Sequence, residues 1–228
     1  MKLNKKIILL IPFSLLIAMV ACKGGGTTPG HHQEGVMSSG SGEKLPEQHK
    51  SDTLKLHKQH LSLANNFAHK DIVILDNPYQ LSEATKAEME QVIDAYLKIK
   101  DALVKEDEEE TNIATELMAE KIAAVSPESL EGKGLEAWQS HQALYEAKLK
   151  EMRHITGLEN KRSYFSHISE ILYCTIKSFG LKQGKLFAIF CPMAFDNKGA
   201  YWISDSKVIQ NPYTEPKMPP CGEIMEEL

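Results

Sequence analysis

Short catalytic signatures are missing from this 228-residue chain. It has no Cys-x-x-Cys pair and no His-Glu-x-x-His helix. Its glycine run, Gly24-Gly25-Gly26, has no strand and helix around it to cradle a phosphate. Long basic runs are missing too: the formal charge is −5 and the signs are mixed, which gives no electrostatic case for a nucleic-acid partner. Long apolar runs are scarce. The clearest, Ile7 to Ala21, is shorter than the roughly 20 residues that span a bilayer. Cysteine is sparse, with Cys22, Cys174, Cys191 and Cys221 making up all 4.

The sequence opens with three lysines in Met1–Lys6, followed by the apolar run and Met19-Val20-Ala21-Cys22. A basic start, a short apolar stretch and a small residue before the cut describe a secretory signal over residues 1–21. The tetrapeptide resembles the bacterial lipobox, which implies lipidation at Cys22 and a protein held at the cell envelope, facing the periplasm or outside. Residues 22–53, rich in Gly, Ser, Thr and His, read as a flexible tether. With Cys22 acylated, three thiols remain, and one is unpaired unless a metal or a second chain takes it.

Residues 54–228 suit one domain, mainly α. Apolar residues recur at helical spacing in four segments. The first spans about 82–105, with Ser82 as N-cap. The second carries Ile113, Leu117, Met118 and Ile122 and stops at Ser126-Pro127. The third runs from about Leu135 to Ile155 after a Gly132-Lys133-Gly134 loop. The fourth runs from about Lys161 to Phe179, capped by Asn160 and ended by Gly180. Short connections predict an antiparallel four-helix bundle. Leu186–Phe190 and Ala200–Ser204 read as two short strands of a hairpin turning at Asp196–Gly199, followed by an irregular Cys/Met tail. Leu54 to Leu75 fits a helix or a strand, and the two copies of Asn-Pro-Tyr read as coincidence.

Chemistry gathers at the end of the chain. Cys191-Pro192-Met193 and Met218-Pro219-Pro220-Cys221 supply thiolates and thioethers, the ligands that favour Cu(I) and other soft ions. His154 and His167 are candidate additional ligands. The competing reading is a Cys191–Cys221 disulfide, favoured by an oxidising compartment. Closing a loop of about 30 residues would stabilise the fold by roughly 3–4 kcal/mol. Six of the 9 histidines, His31, His32, His49, His57, His60 and His69, fall in the tether or its junction with the domain, and His57 with His60 suits weak metal capture. His141 reads as surface and Cys174 as a buried, inert thiol. No catalytic residue is assigned.

The segment CPMAFDNKGAYWISDSKVIQNPYTEPKMPPCGEI resembles the signature of an uncharacterised bacterial lipoprotein domain. That domain is also appended to periplasmic adaptor subunits of copper- and silver-type efflux pumps. AYLKIKDALVKED and KRSYFSHISEILYCTIKSFG are similar to its helices, so the likeness spans about Leu81 to Ile224. Glu215-Pro216 departs from the pattern, where a glycine is usual. The resemblance implies a mostly helical domain and a link with heavy-metal handling, with a heavy-metal efflux system as the expected partner beside the membrane reached through the Cys22 lipid. It implies no established catalytic activity.

Overall fold

Local capping chemistry sets the helix boundaries. The structure, a computed structural model, describes residues 63–215 and 217–228. The expected signal and tether, with Cys22, His57 and His60, lie outside the described residues. Helix α1, Glu83–Val104, begins where the Ser82 hydroxyl accepts the Thr85 N–H at 3.2 Å. Helix α2, Glu108–Ala124, begins at Asp107, whose carboxylate accepts the Glu110 N–H at 2.9 Å. Glu108, Glu109 and Glu110 then complement the positive helix end. Helix α3 covers Gly132–His154, and α4 covers Leu158–Phe179, closed by Gly180 in the left-handed conformation.

The bundle is as expected in outline, with each helix against the next and α1 against α4. Two boundaries differ. Gly132-Lys133-Gly134 is the first turn of α3 rather than a loop, because Gly134 lies under the Tyr79 ring, where a Cβ would come within 2.4 Å of a ring carbon. Asn160 lies inside α4; Gly157 holds the N-cap position without a side-chain bond. Ile113 is exposed, and Thr111, Ala114, Thr115, Met118 and Ile122 form the buried stripe of α2. Among the described residues, no helix is long and apolar enough to cross a membrane.

Helix α4 is central: Ile168 to Ile176 are all buried, since α1, α3, the sheet and the N-terminal strap pack around it. That strap, residues 63–81, is neither a long helix nor a strand. It opens with a 3-10 turn at Leu63–Asn66, and Phe67 then packs edge-on to Tyr173 with ring centroids 5.1 Å apart. Downstream, the Tyr79 N–H donates to the Ser178 carbonyl at 2.8 Å.

Strands β1 (Phe187–Cys191) and β2 (Ala200–Ser204) pair antiparallel as expected, Phe187 opposite Ser204 and Cys191 opposite Ala200. The tail, expected to be irregular, instead adds a strand. Strand β3, Glu223–Glu227, pairs antiparallel with β1, giving the order β2-β1-β3. Glu226 accepts from Tyr173 at 2.6 Å and Lys177 at 2.8 Å, fastening β3 to α4. At the opposite edge of the sheet, the Tyr96 hydroxyl accepts the Ile203 N–H at 3.0 Å and meets Ser169 at 2.7 Å, joining β2 to α1 and α4.

Candidate functional site

The three-stranded order brings Cys191, at the end of β1, beside the chain entering β3. Cys191 and Cys221 are joined as a disulfide with a Cα–Cα distance of 5.6 Å. Cys174 stays free and buried; burial pushes its thiol up to about 12, with nearby Glu170 adding to the effect, so it is inert as read.

Between β1 and β2 the chain makes a single turn at Ala194–Asn197 in which Phe195, Asp196 and Asn197 all have φ between 51° and 66°. Asp and Asn tolerate the left-handed region; Phe does so at a cost of about 1–2 kcal/mol. Packing holds it there: the Phe195 ring lies 5.4 Å from that of Tyr213. Gly199 completes the turn, and a Cβ there would come within 2.4 Å of the Phe190 ring.

The second Asn-Pro-Tyr locks the opposite wall. Asn211 donates through Nδ2 to the Cys221 carbonyl at 2.7 Å and accepts the Tyr213 N–H at 2.8 Å. The Tyr213 hydroxyl donates to the Tyr201 carbonyl at 2.5 Å. Arg162 donates to the Pro212 carbonyl at 2.9 Å and reaches Leu103 and Glu106 at the end of α1.

A groove of about 770 Å³ opens between these walls. Met193, Phe195, Met218, Pro219, Pro220 and Cys221 give it apolar and sulfur surface; Glu159, Arg162, Asp196 and Lys198 give it charge of both signs. The two methionines are unusually open, Met193 at 56% and Met218 at 47% exposure. Of the sulfurs singled out in the sequence, Met193, Met218 and Cys221 thus line one groove, while Cys191 is buried and linked to it through the bond to Cys221.

The histidines go elsewhere. His154 is exposed at the end of α3, its Nδ1–H donating to the Lys150 carbonyl at 2.6 Å, and it lines no part of the groove. His167 borders a second hollow of about 600 Å³, beyond Phe195 and Lys198, which line both. Among the described residues no group of three or more His, Cys, Asp or Glu side chains is arranged to hold a metal ion. His141 is buried rather than superficial: Nε2 donates to the Val73 carbonyl at 2.7 Å and Nδ1 contacts Thr175 at 3.1 Å. Its anchor is the strap, whose sequence has no period to betray it.

Burial lowers the pKa of both His141 and His167 from the ordinary 6.5, His167 to about 4, with His69 and Lys148 adding to the second shift. The unfolded chain therefore takes up protons near pH 6.5 that the fold refuses. Stability is full above that pH and falls as pH drops toward the folded values. Urea midpoints should decline between about pH 7 and about pH 5, and less steeply in His167→Gln. Equal midpoints across that window would mean that the fold accepts these protons.

Sequence reasoning passed over Lys161, Arg162 and Glu170, and read His69 only as part of the tether junction, whereas it is held against Glu170. Spacing marked the first of these: Lys161, Phe165, Ile168 and Leu172 share one helix face. Lys161 is buried, and its ammonium donates to the carbonyls of Met152 at 2.8 Å and Ile155 at 2.6 Å, capping α3.

Fold and site together define a helical bundle carrying a small sheet and a disulfide-braced groove. The model of a family described as "Protein of unknown function (DUF3347)" matches residues 92–184, from within α1 to the turn before β1. The match takes in most of the bundle, including Glu159 and Arg162 of the groove, and stops before the strands and the groove's sulfur-bearing residues. No curated protein and no solved structure matches the chain.

Proposed function

We propose that this is an exported, lipid-anchored, non-catalytic binding protein whose groove captures a soft metal ion such as Cu(I), for buffering or delivery to an efflux system. One observation carries the reading: two sequence-distant thioethers, Met193 and Met218, open into the same groove beside Cys221. Thioethers need no deprotonation and stay available while Cys191 and Cys221 are oxidised. Reduction of the disulfide by a dithiol would add two thiolates next to them, converting a weak site into a strong one. A second reading is favoured by the disulfide itself: an envelope adaptor module in which the Cys191–Cys221 pair is purely structural and the groove docks a protein.

Competition against a soft-metal chelator separates the two, with Ag(I) probing the oxidised protein and Cu(I) the reduced one. In the oxidised state, Met193→Leu and Met218→Leu should each weaken Ag(I) binding by about tenfold, since leucine keeps the volume and removes the sulfur. In the reduced state, wild type should hold Cu(I) more tightly, and Cys221→Ser should erase that gain. Equal competition by wild type and the double methionine variant in both states would leave the adaptor reading.

A further inference from the structure

A second cluster of chemistry sits where the strap crosses α4, on the far side of Phe195 and Lys198 from the groove. The Glu170 carboxylate is buried and accepts the backbone N–H of Ala68 at 2.9 Å and that of His69 at 3.2 Å. It also lies 2.8 Å from His69 Nδ1. With both carboxylate oxygens acting as acceptors, the hydrogen in that contact belongs to Nδ1. The contact selects the Nδ1–H tautomer of the neutral ring, in which the lone pair sits on Nε2. One helical turn before Glu170, His167 places its ring against that of His69, centroids 3.9 Å apart. The His167 Nδ1 is enclosed and has no hydrogen-bond partner.

We propose that His69 and His167 form a two-imidazole site for a divalent ion of the copper, nickel or zinc kind, with Glu170 as the carboxylate that orients His69. Imidazole suits these ions, and a carboxylate on the far nitrogen of a ligating histidine fixes its direction and raises its basicity. Two rings bound at about 2.0–2.1 Å to one ion stand about 5 Å apart by centroid, so binding parts them by about 1 Å from their present contact. Solvent fills the remaining positions, because no third His, Cys, Asp or Glu among the described residues joins the pair. Phe67, buried beside Tyr173 and Tyr201, holds the strap close enough for this small motion to suffice. The site owes nothing to the methionines, so it stands or falls apart from the groove.

Long-range nitrogen–proton NMR of the full mature chain, labelled at histidine, reads each ring separately from the many other histidines. Before metal, His69 should show the Nδ1–H form. On titration with Zn(II), the His69 Nε2 and His167 ring signals should shift together at one metal concentration. His167→Gln should abolish the His69 response at that concentration. Glu170→Gln should move it about 10–100-fold higher. Met193→Leu with Met218→Leu should leave both responses unchanged. Should Glu170→Gln release the strap, the His167→Gln comparison decides alone. Responses of the two rings at different concentrations, no response from either, or a His69 shift that survives in His167→Gln would overturn the proposal.

Discussion

Serine at both Cys191 and Cys221 is expected to lower the unfolding free energy by about 3–4 kcal/mol. The figure follows from chain statistics: the bond joins residues 30 apart in sequence, and removing it restores that freedom to the unfolded chain. It also frees the entry to β3, an edge strand that otherwise depends on its pairing with β1 and on Glu226. Urea unfolding by circular dichroism would measure the loss. Wild type in reductant should show most of it without any mutation. Unchanged midpoints in both experiments would mean that the sheet holds itself without the bond.

The second large effect is expected at Lys161. Replacement by methionine keeps the length and apolar stem but removes the ammonium, leaving the carbonyls of Met152 and Ile155 without their donor. Stranding buried acceptors costs about 1–3 kcal/mol each, partly offset because the desolvated ammonium is also gone. A net loss of about 2–4 kcal/mol is expected, seen as a lower urea midpoint with little change in slope. Lys161→Arg should recover only part of it, since a planar fork fits this two-carbonyl pocket poorly. A methionine variant as stable as wild type would mean that α3 ends without need of this cap.

The sequence announced those parts whose packing follows a period. Met89, Val92, Ile93, Tyr96 and Leu103 mark the buried face of α1, and Phe187–Cys191 is buried nearly throughout, so its pattern survives in the structure. Strand β3 was illegible because Glu223-Ile224-Met225-Glu226-Glu227 is charged and largely exposed; only pairing with β1 makes it a strand. The strap was ambiguous for a related reason: its order comes from distant partners, Glu170, Ser178 and His141, rather than from neighbours in sequence. At the groove, Cys-x-Met and Met-x-x-Cys foretold the sulfur gathering. The exclusion of His154 and His167 could not be read, because it depends on which way each helix face turns.

The disulfide turns residues 191–221 into a covalent ring. Exposed Lys198, Lys207 and Lys217 lie on that ring, open to a protease that cuts after lysine. One backbone break there leaves the molecule in a single piece, with both walls of the groove still attached to the bundle. The bond therefore confers damage tolerance as well as stability, and a nicked chain keeps its binding surface until a reductant lets the fragments part.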